Sequence, residues 1–216
     1  MKIIKPSFNI EDLNHEGAGE ELIKRIEKAG RICYKSENKI TKDSAKEFIK
    51  ARIESGHESI IEHEKVTVRI ICDRGVSHEL VRHRIASYSQ ESTRYCNYSK
   101  DMFENEITVI DPSDAFNWKN NGNRETDRLW CIWENSMKQA EANYFELLAY
   151  GATPQEARSV LPNSLKTEVI VTMNLRSWKN FFKLRTAAAA HPQMREIAIP
   201  MLAEFKKLIP VIFDDI

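Results

Sequence analysis

A polar segment in the middle of the 216-residue chain carries the side chains best suited to chemistry. This segment, Arg82–Arg94, reads RHRIASYSQESTR and holds three arginines, a histidine and several hydroxyl groups. Arginine guanidinium groups pair bidentately with phosphate, and hydroxyls and backbone amides complete a phosphate cradle. Gln90 can address an amide edge of a base. The composition therefore predicts a site that binds and transforms an anionic nucleotide.

The alternative for the same segment is an exposed, charged helix end followed by a solvated loop. We predict a helix over Gly75–Ala86 and a polar loop over Ser87–Asn97. On such a helix Arg82 and Arg84 would point about 200° apart. Both arginines can then serve one small site only if the helix ends there or a neighbouring subunit contributes, which hints at a site shared between chains.

The segment His57–His63, HESIIEH, contains two histidines and two glutamates, which are possible metal ligands. Its spacing is not HExxH, and the surrounding chain offers no obvious third ligand. We therefore predict no metal site here.

The C-terminal third places several polar side chains among residues that otherwise look like core. Arginine is rarely buried without a partner, so arginines in apolar stretches indicate anion-binding or paired positions. The alternative is that they extend to solvent at helix ends. Arg185 follows the mostly apolar run Phe181–Leu184 and precedes the small residues Ala187–Ala190, which let another group approach closely. The positions concerned are Arg158, Asn174, Arg176, Asn180, Arg185 and His191.

Strands and helices are mixed along the chain without a regular βαβ rhythm, which favours an α+β fold. We expect one domain over residues 1–216, with a mixed or antiparallel sheet flanked by helices. Period-2 and β-rich stretches predict strands at Ile3–Ile4, Lys65–Cys72, Glu106–Ile110 and Lys166–Leu175. Helical spacing predicts further helices at Glu21–Cys33, Thr41–Ser55, Thr126–Tyr150, Trp178–Leu184 and Pro192–Leu208, a short helix opened by Thr153 and Pro154, and a surface connection over Ser113–Arg124.

Charge and composition narrow the function classes. Lys plus Arg equals Asp plus Glu at 32 each, so no overall basic field exists to gather nucleic acid. The four separated cysteines form no CxxC pair and are predicted to be buried thiols in a reducing compartment. The chain shows neither a signal-peptide stretch nor about 18 consecutive apolar residues, so we expect a cytoplasmic protein without membrane contact.

The order Arg82-His83-Arg84, seven residues, then Ser92 resembles the signature of the flavin-dependent thymidylate synthases, extended here by Arg94 and Tyr95. The resemblance covers roughly residues 20 to 205. Further segments look like that family, in its order: Gly56–Ser59 with Glu62 and His63, Ala157–Pro162, Thr172–Ser177, and Leu184–Arg185 followed by His191–Gln193.

The resemblance implies a homotetramer with FAD at subunit interfaces that makes dTMP from dUMP. Methylenetetrahydrofolate would supply the carbon and NADPH the electrons. It implies flavin contacts by Ser59, Arg82, His83, Arg84, Gln90, Asn174, Arg176, Asn180 and His191, with His57 near the flavin ring. It implies dUMP contacts by Glu79, Arg82, Gln90, Glu91, Ser92, Thr93, Arg94, Arg158 and Arg185.

The residue inventory agrees with a mechanism that uses no protein nucleophile. Of the cysteines, Cys96 alone lies near the polar segments, and no base stands beside it in the sequence. By analogy with the family, Arg185 would polarise uracil by stabilising negative charge. The flavin would supply the redox chemistry, which side chains cannot.

Two other functions fit the same arginines. One is a flavin-binding oxidoreductase without methyl transfer. The other is a non-catalytic nucleotide-binding or RNA-binding module. The neutral net charge and the absence of an RRM-like or KH-like signature argue against this module.

Overall fold

The computed structural model describes residues 1–100, 103–118 and 123–216. The strands are β1 (Lys2–Ile4), β2 (Ser7–Ile10), β3 (Lys65–Asp73), β4 (Ser87–Gln90), β5 (Thr108–Ile110) and β6 (Lys166–Asn174). The helices are α1 (Ala18–Ile32), α2 (Ser44–Glu54), α3 (Arg74–Leu80), α4 (Ser113–Phe116), α5 (Arg124–Ala149), α6 (Pro154–Ala157), α7 (Leu175–Arg185) and α8 (Pro192–Leu208). Short 3₁₀ turns lie at Glu37–Lys39, Glu58–His63 and Arg158–Val160.

Two sheets organise these strands, and the α+β prediction is confirmed. β1 pairs with β5 in parallel, and the other sheet has the order β2-β3-β6-β4. Along β6 every second residue is buried, beginning with Thr167. This period of two is the pattern of a strand with one face on a core, and it is why Lys65–Cys72 and Lys166–Leu175 were predictable as strands.

The chain divides into two compact units, each built from separated segments. The first unit comprises Met1–Ser7, Ile70–Arg82 and Ser89–Val169, and the second comprises Phe8–Arg69, His83–Tyr88 and Ile170–Ile216. That the two units together form a single domain stays a prediction. The first unit buries a cluster that contains Tyr98, Ile107, Val109, Met137, Tyr144, Ala157 and Leu165.

The second unit has an aromatic core contributed by α7, α8 and the C-terminal segment. The rings of Trp178 and Phe182 stack with centroids 5.7 Å apart, and Phe205 and Phe213 pack edge-on around Phe182. The indole Nε1–H of Trp178 donates to the backbone oxygen of Val66 at 2.9 Å, which satisfies its buried polar atom. α7 is therefore held firmly on its apolar face.

The structure corrects the prediction around the polar segment. The helix that starts after Asp73 ends at Leu80, not at Ala86, and the supposed loop contains strand β4. β4 pairs with β6, and its residues alternate between exposed and half-buried. Its sequence SYSQ is polar on both faces, so no apolar periodicity marks it. Because Arg82 and Arg84 are not on a helix, the angular argument for a shared site falls away.

Other differences are smaller. Strand β2 was not predicted, α4 lies within the expected surface connection, and residues 119–122 of that connection fall outside the described residues. Among the cysteines Cys72 is buried, but Cys33 and Cys131 are exposed and Cys96 is half-buried, so the prediction of four buried thiols is wrong.

Helix α5 begins two residues earlier than predicted, where the Asn123 side chain accepts a hydrogen bond from the Glu125 backbone N–H at 2.9 Å. Met137 and Tyr144 on its predicted apolar face are buried, whereas Leu129 and Ile132 are exposed. The short helix predicted to open at Thr153 and Pro154 is confirmed as α6, and Glu156 accepts from the Thr153 backbone N–H at 2.8 Å in a capping box. In the described part of the chain, no helix is long and apolar enough to cross a membrane.

Candidate functional site

In the second unit, Arg185 and His83 form a pair that the sequence did not reveal. The guanidinium Nε–H of Arg185, at the end of α7, donates to Nε2 of His83 at 3.0 Å. The His83 ring also packs edge-on against Phe181, with centroids 5.0 Å apart. The Tyr88 hydroxyl donates to the His83 backbone oxygen at 2.7 Å, which fixes the chain at this point.

Burial, and then the positive charge of Arg185, lower the pKa of His83 from 6.5 to about 4. The imidazole is therefore neutral at physiological pH, with Nε2 as acceptor and the proton on Nδ1. A neutral acceptor fixes the arginine without cancelling its charge. Arg185 is half-buried, and a neutral acceptor orients its Nε, which suits the guanidinium to stabilise a developing anion.

Arg176 is exposed and faces two glutamates in the second unit. Its Nη1 forms an ion pair with Glu62, and its Nε lies 3.9 Å from Glu58 Oε2. Both acids belong to the 3₁₀ turn Glu58–His63, which also contains Ser59. The structure thus brings Arg176 to the HESIIEH segment, although the sequence indicated neither glutamate as a partner.

Five further predicted residues occupy definite positions in this unit. His57 is exposed, and its Nδ1 lies 2.9 Å from the hydroxyl of Tyr34. The Arg52 guanidinium lies over the ring of Tyr34, 4.9 Å from the ring centroid. Asn174 is the N-cap of α7, where its side chain accepts from the Ser177 backbone N–H at 2.8 Å. His191 is the N-cap of α8 and is exposed, as are Ser59 and Asn180.

An open groove of about 610 Å³ lies on the second unit, lined by residues 62–65, 85–87 and 172–174. Its volume lies within the range usual for small-molecule sites. Asn174 lines the groove, and the exposed Arg84 immediately precedes one of the lining segments. Arg84 forms no ion pair with any residue in the described ranges. A polar and cationic margin beside such a groove suits a phosphate-bearing ligand.

The first unit holds most of the residues predicted to bind the nucleotide. Glu91 is half-buried, and its two carboxylate oxygens are engaged by the Lys166 ammonium at 2.8 Å and the Tyr98 hydroxyl at 3.3 Å. Burial, and then the Glu91 charge, raise the pKa of Tyr98, so its hydroxyl remains a donor. The negative charge of Glu91 is thereby compensated inside the protein.

Gln90 is held by two hydroxyls of the same unit. Its Nε2 donates to Ser77 Oγ at 3.0 Å and to Thr167 Oγ1 at 3.1 Å. Both amide hydrogens are used in these bonds, so the carbonyl Oε1 is the atom that Gln90 can offer to a ligand. The residue is presented to a ligand as an acceptor.

Three arginines of the first unit, Arg82, Arg94 and Arg158, are exposed. The Nη1 of Arg158 donates to the buried Thr93 hydroxyl at 3.4 Å, and the Arg94 guanidinium lies 5.4 Å from the centre of the Tyr95 ring. Within residues 1–100, 103–118 and 123–216, Arg82, Arg94 and Arg158 form no ion pair. Ser92 accepts from the Arg94 backbone N–H at 3.3 Å, and Glu79 is half-buried on α3. These cations are suited to an anionic partner.

Sequence reasoning missed the residues that hold the predicted ones in place. They are Tyr34, Glu58, Glu62, Ser77, Tyr98, Lys166 and Thr167. A usable signal existed for Lys166 alone, because the alternation of β6 places it on one face with Glu168. Apart from Tyr98, which lies 7 positions from Glu91, the others contact partners at least 13 positions away in the sequence. Among the described residues, no group of three or more histidine, cysteine or acidic side chains converges as a metal site would.

Comparison with known proteins gives these positions a context. The family model described as "Thymidylate synthase complementing protein" matches residues 19–211. The chain is 35% identical over 194 residues to the flavin-dependent thymidylate synthase of Geobacter sulfurreducens, covering 87% of this chain and 78% of that protein. It is 34% identical over 210 residues to the enzyme of that name from Sulfurisphaera tokodaii, covering 95% and 76%.

A solved structure shares the fold. The crystal structure of a UMP/dUMP methylase, PolB from Streptomyces cacaoi, bound with 5-Br dUMP, superposes with a TM-score of 0.77 at 23% identity and covers 99% of this chain and 96% of that one. The family model matches a region that includes the Arg82–Ser92 motif, and the relatives match this chain over most of their own length. Both findings agree with the family that the motif resembles. The chain is therefore an enzyme of the flavin-dependent thymidylate synthase family.

Proposed function

We propose that the protein converts dUMP to dTMP, with FAD as its bound cofactor, methylenetetrahydrofolate as carbon donor and NADPH as reductant. The observation that carries the proposal is the pair of a charged Arg185 and a neutral His83. The names of the relatives support the flavin, and the 5-Br dUMP bound to the methylase PolB supports dUMP. We further propose a homotetramer with FAD at subunit interfaces.

The phosphate of dUMP is assigned to the exposed arginines of the first unit. Arg82, Arg94 and Arg158 supply positive charge, and Ser92 and Thr93 supply hydroxyls. Because Lys166 compensates Glu91, that carboxylate does not repel the phosphate dianion. Glu91, Gln90 and Glu79 are assigned to the sugar and base.

Activation of the base is assigned to Arg185. Bonding a carbon to uracil C5 requires an electron-rich ring, and a guanidinium that stabilises negative charge on N3 and the adjacent oxygens supplies it. At Nε, the neutral imidazole of His83 orients the guanidinium without adding a negative charge. Cys96 is a poor alternative nucleophile, because burial and the nearby Glu91 raise the pKa of its thiol.

The electron balance sets what the cofactor must provide. A methylene carbon becomes a methyl group when it receives two electrons and a proton. If NADPH supplies the electrons, the folate leaves as tetrahydrofolate. Bound FAD supplies the two-electron chemistry that links NADPH to the carbon.

The residues of the second unit that are assigned to the flavin fit such a cofactor, and Asn174 among them lines the groove. Ser59, Arg84, Asn174, Arg176 and Asn180 offer hydrogen-bond donors, and Arg84 offers positive charge to a diphosphate. His57 is assigned to the neighbourhood of the ring system. His83 is assigned mainly to the positioning of Arg185.

The first test is whether the isolated protein carries FAD and whether dUMP perturbs the absorption spectrum of that flavin. We expect one FAD per chain and a saturable spectral change on addition of dUMP, with uridine as the control that lacks the phosphate. A colourless protein that takes up no FAD would contradict the proposal. FAD without any response to dUMP would favour the oxidoreductase without methyl transfer.

A further inference from the structure

Lys179 lies in the middle of α7 and is almost completely buried, with 1% of its surface exposed. Its ammonium forms ion pairs with Glu58 Oε1 at 2.8 Å and with Asp215 Oδ2 at 3.0 Å. A buried ammonium is costly unless opposite charges surround it. Lys179 therefore joins two carboxylates that the chain brings together from very different positions.

One of these carboxylates belongs to the candidate flavin site. Glu58 stands between His57 and Ser59 and also faces the guanidinium of Arg176, with 3.9 Å between Oε2 and Nε. Arg176 in turn is paired with Glu62. His57, Ser59 and Arg176 are all assigned to the flavin, whereas Glu58 and Lys179 have been given no role.

The other carboxylate belongs to the C-terminal segment. Burial raises the pKa of the Asp215 carboxyl, but Lys179 and Lys183 lower it by more, and the net result is a pKa below its usual value. The negative charge of Asp215 is therefore favoured. The segment is anchored independently of Asp215, since Phe213 is buried in the aromatic core and Lys206 Nζ donates to the Ile216 backbone oxygen. Removing the Asp215 charge therefore leaves the segment docked.

Charge balance couples the two ends of this chain of ion pairs. With Asp215 ionised, Lys179 divides its charge between two carboxylates, and Glu58 can turn its second oxygen towards Arg176. Without the Asp215 charge, a second carboxylate no longer offsets the positive charge of Lys179 at Glu58, so the net attraction on Glu58 increases. On this reasoning Glu58 would be drawn away from Arg176, and the turn that carries His57 and Ser59 would shift with it.

We infer that Asp215, acting through Lys179, is a positioning residue for Glu58, and that the C-terminal segment thereby sets the flavin-binding geometry of residues 57–59 and Arg176. The inference rests on the proposed function, since it assumes that these residues hold FAD. The competing explanation is that the ion pairs only stabilise the fold.

The test compares Asp215→Asn with Asp214→Asn in the full chain. Asp214 is the adjacent, exposed aspartate and forms no ion pair in the part of the chain that the structure describes. Each protein is stripped of flavin, and FAD is titrated back while flavin fluorescence is followed. The visible spectrum of the bound flavin and the melting temperature of the apoprotein are also recorded.

We expect Asp215→Asn to weaken FAD binding about tenfold, or about 1.4 kcal/mol, and to shift the flavin spectrum, while Asp214→Asn matches the wild type. Asp215→Glu, which keeps the charge, should recover most of the affinity. Equal FAD affinity in the two Asn variants would overturn the inference. So would a lowered melting temperature of the apoprotein without any change in flavin binding. A wild-type protein that binds no FAD would instead refute the proposed function itself.

Discussion

Arg185 shows how far single residues can be understood from sequence. Its place between an aromatic run and a stretch of small residues already indicated a special role. Its partner could not be found in that way, because His83 lies 102 positions away and the two meet only when α7 packs. His83 was predicted as a flavin contact, and the structure adds that its ring fixes the catalytic candidate.

The first prediction concerns the pH dependence of this pair. The unfolded chain protonates His83 near pH 6.5 and the folded chain only near pH 4, so the unfolded state binds more protons between these values. The free energy of unfolding should therefore fall as the pH is lowered through this window. Arg185→Ala removes the neighbouring charge and should raise the pKa of His83, measured from its imidazole resonances by NMR.

The matched control is Lys183→Ala, which removes a charge from the same helix at a residue whose ion pair is with Asp215. It should leave the His83 titration unchanged. Arg185→Ala should also abolish dTMP formation while FAD stays bound. Near-normal turnover, or a His83 pKa that does not move, would refute the role given to Arg185.

The second prediction concerns the phosphate of dUMP. Arg94→Ala should raise the KM for dUMP about tenfold or more with a small change in kcat, because a phosphate contact contributes equally to the ground state and the transition state. Steady-state kinetics at varied dUMP measure this split. Arg128→Ala on α5 is the control for loss of an exposed arginine and should behave as the wild type. A change confined to kcat would contradict the assignment of Arg94.

At the scale of elements, the accuracy of sequence-based prediction follows the apolar pattern. α8 begins and ends where its spacing predicted, and β6 is one residue shorter than predicted, because each buries a regular set of apolar side chains. β4 was not predicted because backbone pairing with β6 stabilises it, and its polar side chains show no apolar alternation that would indicate a strand. The arginine segment is consequently fixed by a strand, not carried by a helix.

The third prediction concerns the start of α7. Asn174 caps this helix, so Asn174→Ala should destabilise the apoprotein by about 1 kcal/mol in urea unfolding. Asn174→Asp keeps the accepting oxygen and should retain the stability. The Asp variant should nevertheless bind FAD more weakly than the wild type, because it replaces the amide donor with a negative charge. If both variants are equally destabilised, the capping role is wrong.

At the scale of the whole molecule, composition and the mixture of elements were enough to predict an α+β protein. They did not indicate the two units, because each unit is assembled from three separated segments and no linker composition marks the crossings. Most residues assigned to dUMP belong to the first unit and most assigned to FAD belong to the second. The order of these residues in the sequence therefore does not show which of them belong to the same unit.

The fourth prediction concerns assembly. The proposed homotetramer should have a mass of about 100 kDa, four times 25.1 kDa, by light scattering of the FAD-loaded protein. Exposed apolar side chains such as Ile85 and Tyr95, at 75% and 78% exposure, are candidates for burial between subunits. A monomer of about 25 kDa with a full complement of FAD would contradict shared flavin sites.

The most direct test of the proposed function is the product formed by the FAD-loaded protein. Incubated with dUMP, methylenetetrahydrofolate and NADPH, it should yield dTMP by chromatography, and omission of any one component should abolish the product. A variant with all four cysteines replaced by serine should still form dTMP, since no thiol is assigned to the reaction. Flavin that NADPH reduces without any dTMP appearing would contradict the account.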